Sequence, residues 1–322
     1  MKQKVFITRL IPQAGIDILK EHFEVTVFPE KRPIKKRELK KLAKGCDGLI
    51  PLLTDRVDAE IMDKTGIKAI SNYAVGVDNI DIEAATARKI PVMNTPGVLT
   101  NATADLTFSL ILGTARRLVE ADNFLRTGKW NGWDPLLLLG GDVTGKTLGI
   151  VGLGRIGKAV AERAKGFGME VIYNSTTKFN DDERLLGIQF ASLSELLKKS
   201  DFVTLHTPYT EATHHLIGRK ELELMKPSAY LINTARGQII NEEELIEGLK
   251  EGLIAGAGLD VYYAEPNFNK ELAKLSNVIL LPHIGSASLE TRTNMAIIAA
   301  ENLKNVLFGN RPSHIINPEI YD

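Results

Sequence analysis

The chain of 322 residues has one cysteine, Cys46, so neither an intrachain disulfide nor a multi-cysteine metal site can form. A lone thiol also fits a reducing compartment. An excess of charge is missing too: 40 Lys and Arg are balanced by 40 Asp and Glu, without the basic footprint of a nucleic-acid binder. No apolar run reaches the ~18 to 20 residues that span a bilayer. The start, residues 1–8, is charged and then strand-like, without the apolar core of a signal peptide. These absences predict a cytoplasmic protein of small molecules, with no nucleic-acid or membrane partner. Repeats and low-complexity segments are also absent.

What is present is a globular composition, 44 % hydrophobic and 25 % charged, on a chain long enough for about two domains. The most informative segment is 147–157, TLGIVGLGRIG. It reads as a buried strand turning directly into a helix, with Gly152, Gly154 and Gly157 in G-x-G-x-x-G spacing. The first glycine makes the tight turn, the second admits a pyrophosphate to the backbone, and the third packs helix on strand. Free N–H groups at the helix start then favour the anion.

About 150 residues precede that fingerprint, so something else folds first. Over residues 4–95, short β-branched runs alternate with amphipathic stretches, predicting a doubly wound, flavodoxin-like sheet of about five parallel strands. A mostly apolar helix over 102–117 leads into six further strands of Rossmann type, starting near 148, 170, 201, 229, 255 and 277. Ser192 with Glu195 and Asn241 with Glu244 mark helix starts there. A last helix over 289–309 returns to the first domain. The predicted division is a substrate domain of 1–100 completed by 288–322, and a dinucleotide-binding domain of 101–287. Both are α/β. Between 127 and 144 an irregular stretch holds Trp130, Trp133 and Leu136 to Leu139. So much apolar surface in a loop calls for a cover, and a second subunit supplies one, predicting a homodimer.

Three ionisable residues follow predicted strands on the side where open α/β sheets bind ligands. Arg236 offers a planar fork for a carboxylate. His283 can move a proton near neutral pH, and Glu265 can orient a histidine ring. Singly, each has a plain structural reading: a solvated arginine, a turn cap, a core histidine. Together with a dinucleotide fold they make a complete reductase of 2-oxo acids. His214 and His215 are weaker, because neighbouring residues on a helix or strand point apart and no third ligand is evident; no metal is expected. The basic run 31–44 reads as a solvated helix face.

Segments 152–157 (GLGRIG), 233–237 (NTARG), 256–261 (GAGLDV), Glu265 with Pro266, and 281–287 (LPHIGSA), in this order and spacing, resemble the D-isomer-specific 2-hydroxyacid dehydrogenase family. Likeness at 73–80 (YAVGVDNI) and 94–100 (NTPGVLT) extends it over essentially the whole chain. Segments 6–12 and 133–136 resemble its glyoxylate/hydroxypyruvate reductase branch. The resemblance implies that Arg236 binds the substrate carboxylate and oxo group, that His283 is the acid/base and that Glu265 supports it. It further implies that backbone N–H groups of Val75 and Gly76 bind the carboxylate and that Ser286 borders the site. Thr103, Arg155, Ile156, His206, Thr207, Pro208, Thr213, Thr234 and Ala235 match cofactor-contacting positions, and Asp260 would hold the nicotinamide amide. Reduction of a larger acid such as 2-ketogluconate, or a dinucleotide-sensing corepressor role, are the alternatives that the resemblance leaves open.

One position departs from the usual pattern. Where an NAD enzyme carries an acid for the ribose hydroxyls, this chain has Ser175, followed by Thr176, Thr177 and Lys178. Hydroxyls and a cation favour a 2′-phosphate, predicting NADP(H) with NAD(H) still possible.

Overall fold

Consecutive apolar residues in the short strands bury on both faces of their sheets, the pattern of parallel sheets sandwiched by helices. A computed structural model describes residues 2–322. They divide into unit 1, running to Leu99 and resuming at Ser286–Asp322, and unit 2, Thr100–Gly285.

Unit 1 has five strands: β1 (Lys4–Ile7), β2 (Glu24–Val27), β3 (Gly48–Ile50), β4 (Ala69–Ser71) and β5 (Val92–Met93). They are all parallel, in the order β2-β1-β3-β4-β5. Phe6 faces a core with Leu39, Leu49, Ile61 and Ile70. Its neighbours Val5 and Ile7 face the opposite core, with Leu19, Ala296, Ala299 and Leu303. Full burial of a side chain such as Phe6 or Ile7 contributes roughly 1.5 to 3 kcal/mol. The second core is made by helices Gln13–His22 and Leu289–Leu307. They cross at Gly15, where an added Cβ would lie 2.5 Å from the Ala296 carbonyl oxygen. The tail continues along the sheet edge: Ile315 bridges Met93 antiparallel, and the buried Asn317 accepts from Val92 N and donates to Ile90 O. The basic run is more than a solvated face. Lys36 and Lys40 pair with Glu60 at 2.8 and 2.6 Å, and Arg32 with Glu38 at 2.6 Å.

Unit 2 has seven parallel strands: β6 (Thr147–Val151), β7 (Glu170–Asn174), β8 (Gln189–Phe190), β9 (Phe202–Leu205), β10 (Tyr230–Asn233), β11 (Gly256–Leu259) and β12 (Val278–Leu280). Their order is β12-β11-β10-β9-β6-β7-β8, the Rossmann order with one strand more at the β12 edge. The six-strand expectation therefore misses β8, whose two residues are both exposed at the sheet edge and form no apolar run. The helix expected over 102–117 is Thr100–Ala115. Its Thr107 and Thr114 hydroxyls donate to carbonyls one turn back, so polar residues are buried without loss. The capping box at Ser192 and Glu195 forms, and Asn241 caps its helix through Glu244 N. Among the described residues no helix is long and apolar enough to cross a membrane.

Candidate active site

Strand order reverses between β6 and β9, where the sheet opens a crevice at its C-terminal edge. The fingerprint lies there. Gly152 has φ +98°, and a Cβ on it would sit 2.7 Å from His206 C and Thr207 N. A Cβ on Gly157 would lie 2.2 Å from Gly152 O, whereas one on Gly154 would meet nothing within 4 Å. So the outer glycines are required by the protein's own packing, and the middle one leaves open space. Helix Arg155–Gly166 starts there with no side-chain cap, which leaves its first N–H groups for a ligand. His206 Nε2 is buried without a partner among the described residues, and burial lowers this imidazole's pKa to about 3, keeping it neutral. These features fit a dinucleotide: residues 152–157 would hold its pyrophosphate.

After β7, Ser175 is half-buried and Thr176, Thr177 and Lys178 are exposed or partly so. Tyr173 braces this loop, its hydroxyl accepting from Phe179 N at 2.8 Å and donating to Glu183 at 2.9 Å. Lys178 Nζ lies 3.7 Å from Glu183. Other cofactor candidates spend their polar groups on the protein. Thr213 donates to Pro208 O at 2.8 Å, Thr234 meets Thr107 at 3.0 Å, and Ala235 N donates to Asn233 at 3.0 Å.

The ends of β10, β11 and β12 carry the ionisable set. His283 Nδ1 is 2.7 Å from Glu265 Oε2, with the side chains 28 % and 24 % exposed, so both remain reachable from solvent. Burial alone would raise the Glu265 carboxyl. The hydrogen bond and charge of His283, Tyr262 N–H and the Arg236 charge outweigh it and hold the carboxyl below its ordinary range. Tyr262 braces both partners: its N–H donates to Glu265 Oε1 at 3.1 Å, and its hydroxyl to Leu281 O at 2.9 Å. His283 itself has φ +54°, a conformation that needs local support. Asp260 supplies it, buried and accepting from Ile284 N and Gly285 N at 2.7 Å each, while Thr103 donates to Gly285 O at 3.2 Å. Burial raises the Asp260 carboxyl, against the pull of those two N–H groups.

Arg236 is half-buried. Buried Asn233 shapes its turn, donating to Arg236 O at 2.9 Å and accepting from Ala235 N. Gly237 then presses on the Glu265 loop: a Cβ there would lie 1.9 Å from Tyr262 C. Asn233 and Gly237 stand inside a motif legible in the sequence, but the Tyr262 contacts carry no sequence signal. His214 and His215 do not point apart, as neighbours on a regular element would. Their rings stack at 3.9 Å, because His215 takes φ +50°. Among the described residues no group of three or more His, Cys, Asp or Glu could hold a metal ion.

Unit 1 carries the remaining candidates. Val75 and Gly76 are half-exposed in the turn after β4, and Ser286 precedes the last helix, its carbonyl accepting from Ser288 N at 2.9 Å.

A dinucleotide cradle with a histidine–carboxylate pair at its strand ends defines a dinucleotide-dependent oxidoreductase. The description "D-isomer specific 2-hydroxyacid dehydrogenase, NAD binding domain" matches residues 108–285. Over 99 % of its length the chain is 53 % identical to a glyoxylate reductase of Thermococcus gammatolerans, covering 97 % of that protein. Identity to the glyoxylate reductase of Korarchaeum cryptofilum is 49 %, with the same two coverages. A solved structure from Thermus thermophilus superposes with TM-score 0.93 at 48 % identity, over 98 % of this chain and 100 % of that one. An NADPH-dependent glyoxylate/hydroxypyruvate reductase from Sinorhizobium meliloti, solved with NADP and malonate, gives 0.87 at 31 % identity, over 99 % and 98 %. The chain belongs to the D-isomer-specific 2-hydroxyacid dehydrogenase family.

Proposed function

We propose that this protein reduces small 2-oxo acids, glyoxylate and hydroxypyruvate first among them, to 2-hydroxy acids with NADPH. The observation that carries the reading is the His283–Glu265 pair at 2.7 Å, at strand ends of the same sheet that carries the dinucleotide cradle; the glyoxylate reductases about half identical to the chain narrow the substrate. The nicotinamide, when bound, supplies the hydride. His283 gives its proton to the carbonyl oxygen as the carbon takes the hydride and the carbon–oxygen π bond opens, so the oxygen stays on that carbon as the neutral hydroxyl of the 2-hydroxy acid. Glu265 orients the ring and balances the imidazolium. Arg236 grips the carboxylate and polarises the oxo group. In unit 1, the Val75 and Gly76 N–H groups are donors for a carboxylate.

Preference for NADPH rests on Ser175. No carboxylate stands there to bind ribose hydroxyls or repel a 2′-phosphate, and the Lys178–Glu183 pair, long and exposed on the lysine side, can be exchanged at little cost. A charge-assisted contact to the phosphate is worth about tenfold in affinity. We expect kcat/KM to be higher with NADPH than with NADH in glyoxylate reduction, and Ser175→Asp to move the ratio toward NADH. A wild-type ratio favouring NADH would defeat this reading.

We also infer a homodimer. Helix Leu118–Arg126 has no buried residue, and Leu118, Leu125, Trp133, Leu136 and Leu139 are each more than half exposed. An apolar surface of this kind is what a second copy covers. Light scattering should report about twice the 35.4 kDa chain mass; a monomer at micromolar concentration would remove the inference.

A further inference from the structure

Three successive carbonyls in the turn after β4 are held from the protein interior. Ala74 O accepts from Thr95 N at 3.0 Å. Val75 O accepts from Asn94 Nδ2 and Gly76 O from Asn72 Nδ2, both at 2.8 Å. Asn72, Asn94 and Thr95 are all buried. A trans peptide is planar, so fixing a carbonyl fixes the next residue's N–H in the opposite direction. The three bonds therefore turn the N–H groups of Val75, Gly76 and Val77 away from the interior. None of these N–H groups has a backbone partner among the described residues, although backbone donors are usually paired.

The two asparagines are themselves fixed. Asn72 exchanges amide hydrogen bonds with Asn79 at 3.1 and 3.2 Å, and Asn79 also donates to Leu52 O at 3.0 Å. Asn94 O accepts from the buried Asn302 at 3.0 Å. Rigid donors behind a turn reduce the reorganisation needed when an anion binds in front of it.

We propose that Asn94 is a positioning residue whose side-chain amide aims the Gly76 N–H group, with Asn72 holding the peptide that follows, and thereby sets affinity for the substrate carboxylate. The inference rests on the reading that Val75 and Gly76 N–H groups take that carboxylate. Asn94→Asp keeps the size but sets an oxygen against Val75 O, which turns the peptide. KM for glyoxylate and Ki for oxamate should then rise about tenfold, with kcat changed less and KM for NADPH unchanged, while the thermal midpoint falls because a buried carboxylate has lost its partner. Gly76→Pro, which deletes the N–H, should raise the same two constants. If Asn94→Asp leaves both constants unchanged while Gly76→Pro raises them, carboxylate binding stands and the positioning role is lost. If Gly76→Pro also changes neither, the carboxylate reading falls and takes the proposal with it. A uniform loss that includes NADPH affinity marks a structural effect and overturns the proposal. Should Asn94→Asp fail to fold, Asn94→Leu removes the donor without adding charge and is read in the same way.

Discussion

Replacing His283 with alanine should lower kcat for glyoxylate reduction by about 100- to 10,000-fold, the range typical of losing a positioned proton donor. NADPH affinity should survive, because the cradle around Gly152 is built by other segments. The backbone at 283 is already at φ +54° under the grip of Asp260, so the turn should persist, and the fall expected in the thermal midpoint is that of leaving the Glu265 carboxylate without its histidine. The sign of the pH response follows from the donor's protonation state. Reduction takes up a proton, so kcat/KM should fall as pH rises; oxidation of the 2-hydroxy acid, which releases one, should show the opposite trend. Glu265, with its folded pKa held below the usual value, contributes stability that is complete above the unfolded carboxylate pKa. That contribution disappears only as pH falls through the lower folded value. The acid limb should accordingly lie below the ordinary carboxylate range. Near wild-type turnover in His283→Ala, or the same pH slope in both directions of reaction, would sink the assignment.

Gly237→Ala should be the most damaging single methyl group added in unit 2. Its Cβ would stand 1.9 Å from Tyr262 C and 2.1 Å from Tyr262 O, and both atoms are backbone, so no rotamer relieves the clash. Either the turn bearing Arg236 or the loop bearing Glu265 must move, at ~3 kcal/mol or more for overpacking of this severity. We expect a clear drop in unfolding midpoint together with a loss of kcat/KM. Gly154→Ala is the control: its Cβ meets nothing within 4 Å, so the fold should be intact and only dinucleotide affinity should suffer. Equal stability of the two variants in thermal unfolding would contradict this account.

The contrast between those glycines also marks where sequence reasoning stops. Gly157 is legible because the clash that requires it, with Gly152 O, lies within one short segment, and the spacing of the two encodes it. Gly237 meets a partner 25 positions later, so nothing in its neighbourhood announces the contact. Strands β6 and β10 are readable as apolar runs bounded by turn residues, whereas β8 pairs through backbone alone and shows two exposed side chains. The stacked histidines repeat the point, since a single positive φ reverses the direction that regular periodicity assigns to a side chain. At the site, residue types could be named from chemistry, but Tyr262, which holds the loops of both His283 and Glu265, takes part through its backbone N–H and a distant carbonyl. Asn94 and Asn72 are similarly silent, because their effect passes through peptide planes rather than through any motif.

The interrupted course of unit 1 bears on how the chain is made. Unit 2 is one unbroken stretch, Thr100–Gly285, whereas the core around Val5 and Ile7 needs Ala296, Ala299 and Leu303. During synthesis the ribosome therefore delivers every residue of unit 2 before it delivers the helix that closes unit 1. Until that helix emerges, helix Gln13–His22 alone covers this face of the five-stranded sheet, and the part left open exposes the nascent chain to capture by chaperones.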